Sequence, residues 1–126
     1  MSKIKLIIIM GFFASFFGIK AQTNEYIKVL TVSEFKAKIA DKKVTLIDVR
    51  TPKEFKAGNI KNSKNIDFFD PEFTSNFSEF KKDVPIYVYC QSGGRSNKAA
   101  KKLEALGFTN IYDLKGGYSS WKTQIE

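Results

Sequence analysis

Short apolar runs alternate along the chain with stretches in which apolar residues recur every three or four positions. Val44-Thr45-Leu46-Ile47-Asp48-Val49 and Pro85-Ile86-Tyr87-Val88-Tyr89 are β-branched and aromatic with little internal polarity, the composition of strands covered on both faces. Asn110-Ile111-Tyr112-Asp113-Leu114 is a weaker third run, and Ile27 to Leu30 reads as an edge strand. Between them lie helix signals. Ser33 is expected to cap a helix with Val32, Phe35 and Ile39 along one side. Thr51-Pro52-Lys53-Glu54 places a hydroxyl at the cap, proline at the first helical position and glutamate three residues on, and Gly58 stops the helix early. Asp70-Pro71-Glu72 repeats the device, with Phe73, Phe77 and Phe80 following at helical spacing as a core stripe. Ser96 to Leu106 sets Ala99, Ala100, Leu103 and Leu106 on one face and lysines on the other, with Gly107 as its stop. Strands separated by helices predict an α/β domain with a mainly parallel sheet and helices on both faces. In such sheets ligands bind beyond the carboxyl ends of the strands, so the segment after Tyr89 is the first place to look for chemistry.

Residues 1–21 are read separately. Lys3 and Lys5 precede an apolar stretch from Leu6 to Gly18, and Ile19-Lys20-Ala21 ends it with a small residue before Gln22. This is the layout of a secretory signal. The stretch is well short of the roughly 20 apolar residues of a membrane-spanning helix, which leaves an uncleaved anchor as the weaker alternative. The lack of a cysteine near the cleavage point excludes lipid attachment there. The domain is therefore expected to run from 22 to 126, exported to the periplasm or the medium and free of the membrane after cleavage. The formal charge of +8 reflects 21 Lys plus Arg against 13 Asp plus Glu; losing Lys3, Lys5 and Lys20 leaves 18 bases against 13 acids, or +5. The lysines are scattered in isolated pairs, so a nucleic-acid footprint is not expected.

Composition narrows the chemistry further. There is no histidine and a single cysteine, so the side chains cannot build a zinc site, a Cys-His or Ser-His pair, or an internal disulfide. No cofactor is called for. A 43% hydrophobic and 14% aromatic composition supplies a real core and argues against disorder.

The lone cysteine stands in Cys90-Gln91-Ser92-Gly93-Gly94-Arg95-Ser96, between a strand and a helix. Two glycines allow successive N–H groups to converge on one point, and the helix N-terminus adds partial positive charge. A thiol in such a ring is expected to ionise readily, because its donors favour the thiolate. The backbone then does what a general base does elsewhere. A free cysteine is more often an inert packing residue, but paired glycines followed by arginine have no packing rationale.

Three motifs in order, Asp48-Val49-Arg50 with Glu54-Phe55 and Gly58-Asn59-Ile60, then Cys90 to Ser96, then Leu114-Lys115-Gly116-Gly117-Tyr118 with Trp121, resemble a single-domain rhodanese, a sulfurtransferase. The resemblance spans Val29 to Trp121. It implies a five-stranded sheet and a loop whose cysteine accepts a sulfane sulfur as a persulfide and passes it on. Cys90 then resembles the persulfide-bearing nucleophile, and the amides of Gln91, Ser92, Gly93, Gly94, Arg95 and Ser96 resemble the cradle around the outer sulfur. Arg95 stands where it would attract a small anionic sulfur donor such as thiosulfate. The acceptor would be a thiol, cyanide or a thioredoxin-like partner, since no second cysteine can resolve the persulfide. Arg50 and Glu54 are expected to form an ion pair near the crevice. Asp48 could orient the loop by accepting its N–H groups, pair with Arg95, or act only as a strand-end acceptor. Gly116-Gly117 and Trp121 resemble the family's closing turn and the helix packed after it. Asn59 departs from the histidine common at its position, which touches the rim and not the nucleophile.

Phosphatases of the cell-cycle type and arsenate reductases share this fold but carry Cys-x5-Arg. The Cys-x4-Arg spacing from Cys90 to Arg95 suits a single sulfur atom better than a tetrahedral oxyanion. A persulfide carrier and a non-catalytic binding module also compete with catalysis; the binding module is disfavoured by retention of the cysteine, both glycines and the arginine.

Overall fold

The structure, a computed structural model, describes residues 25–40 and 43–125. The expected signal segment and its cleavage point lie outside the described residues. The order of elements is β1 (Ile27–Leu30), α1 (Val32–Ile39), β2 (Thr45–Asp48), α2 (Pro52–Ala57), β3 (Lys64–Asn65), a 3-10 turn (Ser75–Phe77), β4 (Ile86–Tyr89), α3 (Gly94–Ala105), β5 (Ile111–Leu114) and α4 (Gly117–Ile125). The strands form one five-stranded sheet in the order β1-β5-β4-β2-β3. Every pairing is parallel, with Ile47 opposite Val88 and Val88 opposite Asp113 at its centre. The expected sheet is present. Its β3 pairs through only two residues, too few to leave a readable apolar run.

Burial on both faces accounts for the apolar strands. Ile47, Val49, Ile86, Val88 and Ile111 pack on one side against Ala99, Ala100 and Leu103 of α3 and against Phe73 and Phe77. Leu46, Tyr87, Tyr89 and Leu114 pack on the other against Val32 and Phe35 of α1, with Tyr118 and Trp121 of α4 at their edge. Trp121 meets Phe35 edge-on, ring centroids 6.4 Å apart, and packs partly buried against the core.

Three local expectations are corrected. Thr31, not Ser33, caps α1: its hydroxyl accepts the Glu34 N–H at 3.2 Å and its own N–H donates to Glu34 Oε1 at 2.9 Å. The Glu three residues on selects the hydroxyl that caps. The Phe73 to Phe80 stretch is turns around one short 3-10 segment capped by Thr74 without a side-chain bond, and Asp70 closes only a turn before it, accepting the Glu72 N–H at 2.9 Å. Phe73 and Phe77 are buried all the same, stacked edge-on at 5.0 Å, while Phe80 lies at the margin. Leu106 is 36% exposed, because α3 ends at Ala105 and the chain turns through Gly107 at φ +106°.

Candidate active site

At the carboxyl end of β4 the chain meets α3 and α4 together. Cys90 continues the buried face of β4 and is 1% exposed. Gly93 caps α3 in the left-handed region, φ +116°, a conformation open to glycine at little cost. There its N–H points back at Cys90 Sγ, N to S 3.0 Å. Of the amides from Gln91 to Ser96, Gly93 supplies the hydrogen bond to sulfur among the described residues. The hydroxyl of fully buried Ser96 turns the other way and donates to Gly93 O at 3.3 Å. Gly94 opens α3, with no atom within 4 Å of where a Cβ would stand.

Helix α4 holds the loop from the other side. The N–H groups of Tyr118 and Ser119 donate to the carbonyls of Cys90, at 2.7 Å, and Gln91, at 3.0 Å. Unpaired N–H groups of a first helical turn thus satisfy loop carbonyls. Gly117, at φ +61°, makes the approach possible, since a Cβ there would stand 2.5 Å from Cys90 O.

Beneath the loop, Arg50 and Asp48 are 2% and 0% exposed. The guanidinium forks onto the carboxylate, Nε to Oδ1 at 3.0 Å and Nη2 to Oδ2 at 2.6 Å. It also donates to Gly58 O at 2.7 Å and to Gln91 Oε1 at 2.9 Å, and lies 4.5 Å from the Tyr118 ring centroid. Burial opposes the Arg50 charge, but the Asp48 carboxylate outweighs it and raises the pKa. At the rim, Arg95 forks onto Glu54, Nη1 to Oε1 at 2.8 Å and Nη2 to Oε2 at 3.0 Å. That fork, with help from Thr51, holds the Glu54 carboxyl down at about 2 although partial burial works against it.

The expected Arg50–Glu54 pair is corrected, since Arg50 pairs with Asp48; of the roles open to Asp48, that of strand-end acceptor holds, and among the described residues it accepts from neither the loop amides nor Arg95. The reason is reach. Asp48 and Arg50 are two residues apart at a strand end, where the Arg50 N–H already donates to Asp48 Oδ1 at 2.8 Å. Glu54 is carried by α2 toward Arg95 instead.

Sequence reasoning missed Asp113. It lies opposite Val88 on the face covered by α3 and is 3% exposed. Burial pushes its pKa up to about 6. Its Oδ1 has no partner among the described residues. A lone acid in an apolar strand was the available signal.

A cleft of about 180 Å³ opens beside the loop, lined in part by Arg50, Glu54, Gly58, Gln91, Tyr118 and Lys122. The site thus brings together a buried thiol at a helix mouth, two satisfied ion pairs and a small cleft. The family model described as Rhodanese-like domain matches residues 31–124. The chain belongs to the rhodanese family. This rhodanese is 38% identical over 123 residues to the uncharacterized protein YqhL of Bacillus subtilis, covering 98% of this chain and 94% of that one. Over 85 residues it is 40% identical to thiosulfate sulfurtransferase 16, chloroplastic, of Arabidopsis thaliana, covering 60% of this chain and 71% of that protein. A crystal structure of a rhodanese-like domain protein from Staphylococcus aureus superimposes with TM-score 0.66 at 35% identity, covering 75% of this rhodanese and 90% of that chain.

Proposed function

We propose that this rhodanese is a sulfurtransferase that carries sulfane sulfur as a persulfide on Cys90. The observation that carries the reading is the Gly93 N–H at 3.0 Å from Cys90 Sγ, at the mouth of α3, where the helix field favours an anion. The Cys90 thiolate attacks the outer sulfur of an anionic donor such as thiosulfate. The S–S bond of the donor breaks, and sulfite leaves with the electron pair. Cys90 then holds the transferred sulfur as a persulfide anion beside the Gly93 amide. A nucleophilic acceptor, whether cyanide, a thiol or the thiolate of a thioredoxin-like partner, attacks the terminal sulfur and departs with it, which restores the thiolate. The amides of Gln91, Ser92, Gly94, Arg95 and Ser96 are assigned to the wall of the cradle. Asp48 and Arg50 are positioning residues beneath it. The lysines and apolar stretch of residues 1–21 support export, with donor and acceptor met outside the cytoplasm.

The test is turnover of thiosulfate and cyanide to thiocyanate by the chain from Gln22, with the mass of the resting protein recorded after donor alone. Thiocyanate formation and a gain of one sulfur atom on Cys90 are expected, and Cys90→Ser removes both. Hydrolysis of an aryl phosphate without thiocyanate formation reassigns the site to the oxyanion chemistry of the Cys-x5-Arg enzymes.

A further inference from the structure

Both arginines of the site are already committed: Arg50 is forked onto buried Asp48 and Arg95 onto Glu54. Neither presents free charge to an incoming anion. Around the cleft that reaches the loop at Gln91, the residue after Cys90, the remaining charged side chain among the lining residues is Lys122. It is exposed, and among the described residues no carboxylate pairs with it. Its place is set by the same contacts that hold the loop. Tyr118 and Ser119 donate their N–H groups to Cys90 O and Gln91 O, and Lys122 follows Tyr118 by one helical turn of α4. Its ammonium lies 5.8 Å from the Tyr118 ring centroid, the ring that Arg50 also approaches. Lys122 is thus tied through a rigid helix to the loop that carries the nucleophile.

We propose that Lys122 is the specificity-determining residue that draws anionic reactants to Cys90, in place of the arginine of the sulfur loop. The inference rests on the sulfurtransferase reading for its natural substrate but not for its test. A cation at the cleft lowers the free energy of an anion approaching Cys90 and leaves a neutral reagent unaffected. Its effect is screened by salt.

The experiment compares alkylation of Cys90 by anionic iodoacetate and by neutral iodoacetamide in the wild type, Lys122→Gln, Lys122→Glu and Lys81→Glu. Lys81 precedes β4, at the end of the sheet remote from Cys90, so its variant controls for net charge alone. The iodoacetate to iodoacetamide rate ratio is expected to fall about threefold in Lys122→Gln and about tenfold in Lys122→Glu at low salt. The differences should shrink at high salt, and the ratio in Lys81→Glu should stay at the wild-type value. KM for thiosulfate should rise in parallel with little change in kcat. An unchanged ratio in Lys122→Glu, or an equal fall in Lys81→Glu, overturns the proposal. If no variant and not the wild type transfers sulfur, the functional reading fails while the alkylation ratio still decides the role of Lys122.

Discussion

Arg50 shows how one side chain can tie a candidate site together without a bond to the Cys90 sulfur. Its guanidinium joins the end of β2, the C-terminus of α2, the Cys90 loop and the Tyr118 ring through Asp48, Gly58, Gln91 and a ring face. Only a planar fork with five donors can satisfy that set. A lysine there would reach Asp48 through one ammonium and abandon Gly58 or Gln91. Breaking such a buried pair on one side costs about 3 to 5 kcal/mol. Arg50→Lys should therefore lower stability by about 3 kcal/mol, measured by urea denaturation. It should also speed alkylation of Cys90 by iodoacetamide, because Gln91 loses one of its two side-chain anchors beside the cysteine and keeps only its bond to Ser119 Oγ. Glu54 and Arg95 differ in kind: both are partly exposed, so the pair contributes little to stability and acts mainly to cancel charge at the rim.

Helix termini set the geometry of the loop. The α2 capping box, in which Thr51 Oγ1 accepts the Glu54 N–H at 3.3 Å and Glu54 Oε1 accepts the Thr51 N–H at 3.0 Å, also presents Glu54 to Arg95. Thr51→Ala should cost about 1 kcal/mol, the usual value of an N-cap hydroxyl, read as a lowered urea midpoint with an unchanged slope. The Phe73 to Phe80 segment has another logic. Its backbone is turns, yet Phe77 is 1% exposed and meets Phe73, Phe80 and Phe108 within ring-contact distance. Phe77→Ala should cost about 3 to 5 kcal/mol through the cavity it leaves, measured in the same denaturation. A loss under about 1 kcal/mol, the scale of a surface substitution, would mean that the segment is not part of the core.

Global stability should carry the signature of Asp113. Its carboxyl goes from an ordinary 3.8 to about 6 on folding. Between those values the folded chain holds more protons than the unfolded one, so stability falls as pH rises from about 4 to about 6 and then levels off. The shift corresponds to about 3 kcal/mol at neutral pH. Asp113→Asn should recover a large part of that at about pH 7 and nothing below about pH 4. Urea unfolding followed through Trp121, the sole tryptophan, measures both. Glu54 acts in the opposite sense: the stability it adds is present above its ordinary carboxylate range and disappears as pH falls toward about 2. An Asn variant no more stable than the wild type at neutral pH would show that Asp113 finds a partner in solution.

The alternation of apolar runs with capped amphipathic stretches was enough to establish a parallel α/β sheet, its four longer strands and the segment at the helix mouth. Those features depend on neighbours a few residues apart, and burial on two faces leaves its mark in composition. The cysteine loop was legible for the same reason, because glycines and a helix start are local signals. What the chain alone left open were the partners of charges: Arg50 with Asp48, Arg95 with Glu54, and Asp113 with no partner for Oδ1 among the described residues. Ion pairing depends on where α2, α3 and α4 converge in space, and a side chain with several acceptors in reach commits to one only when the backbone has been placed. The two-residue β3 and the 3-10 turn under Phe77 were hidden likewise, since β3 is held by its pairing with β2 and by Asn65 Nδ2 donating to Asp48 O and Arg50 O, and the turn by burial of Phe77, not by any propensity of their own.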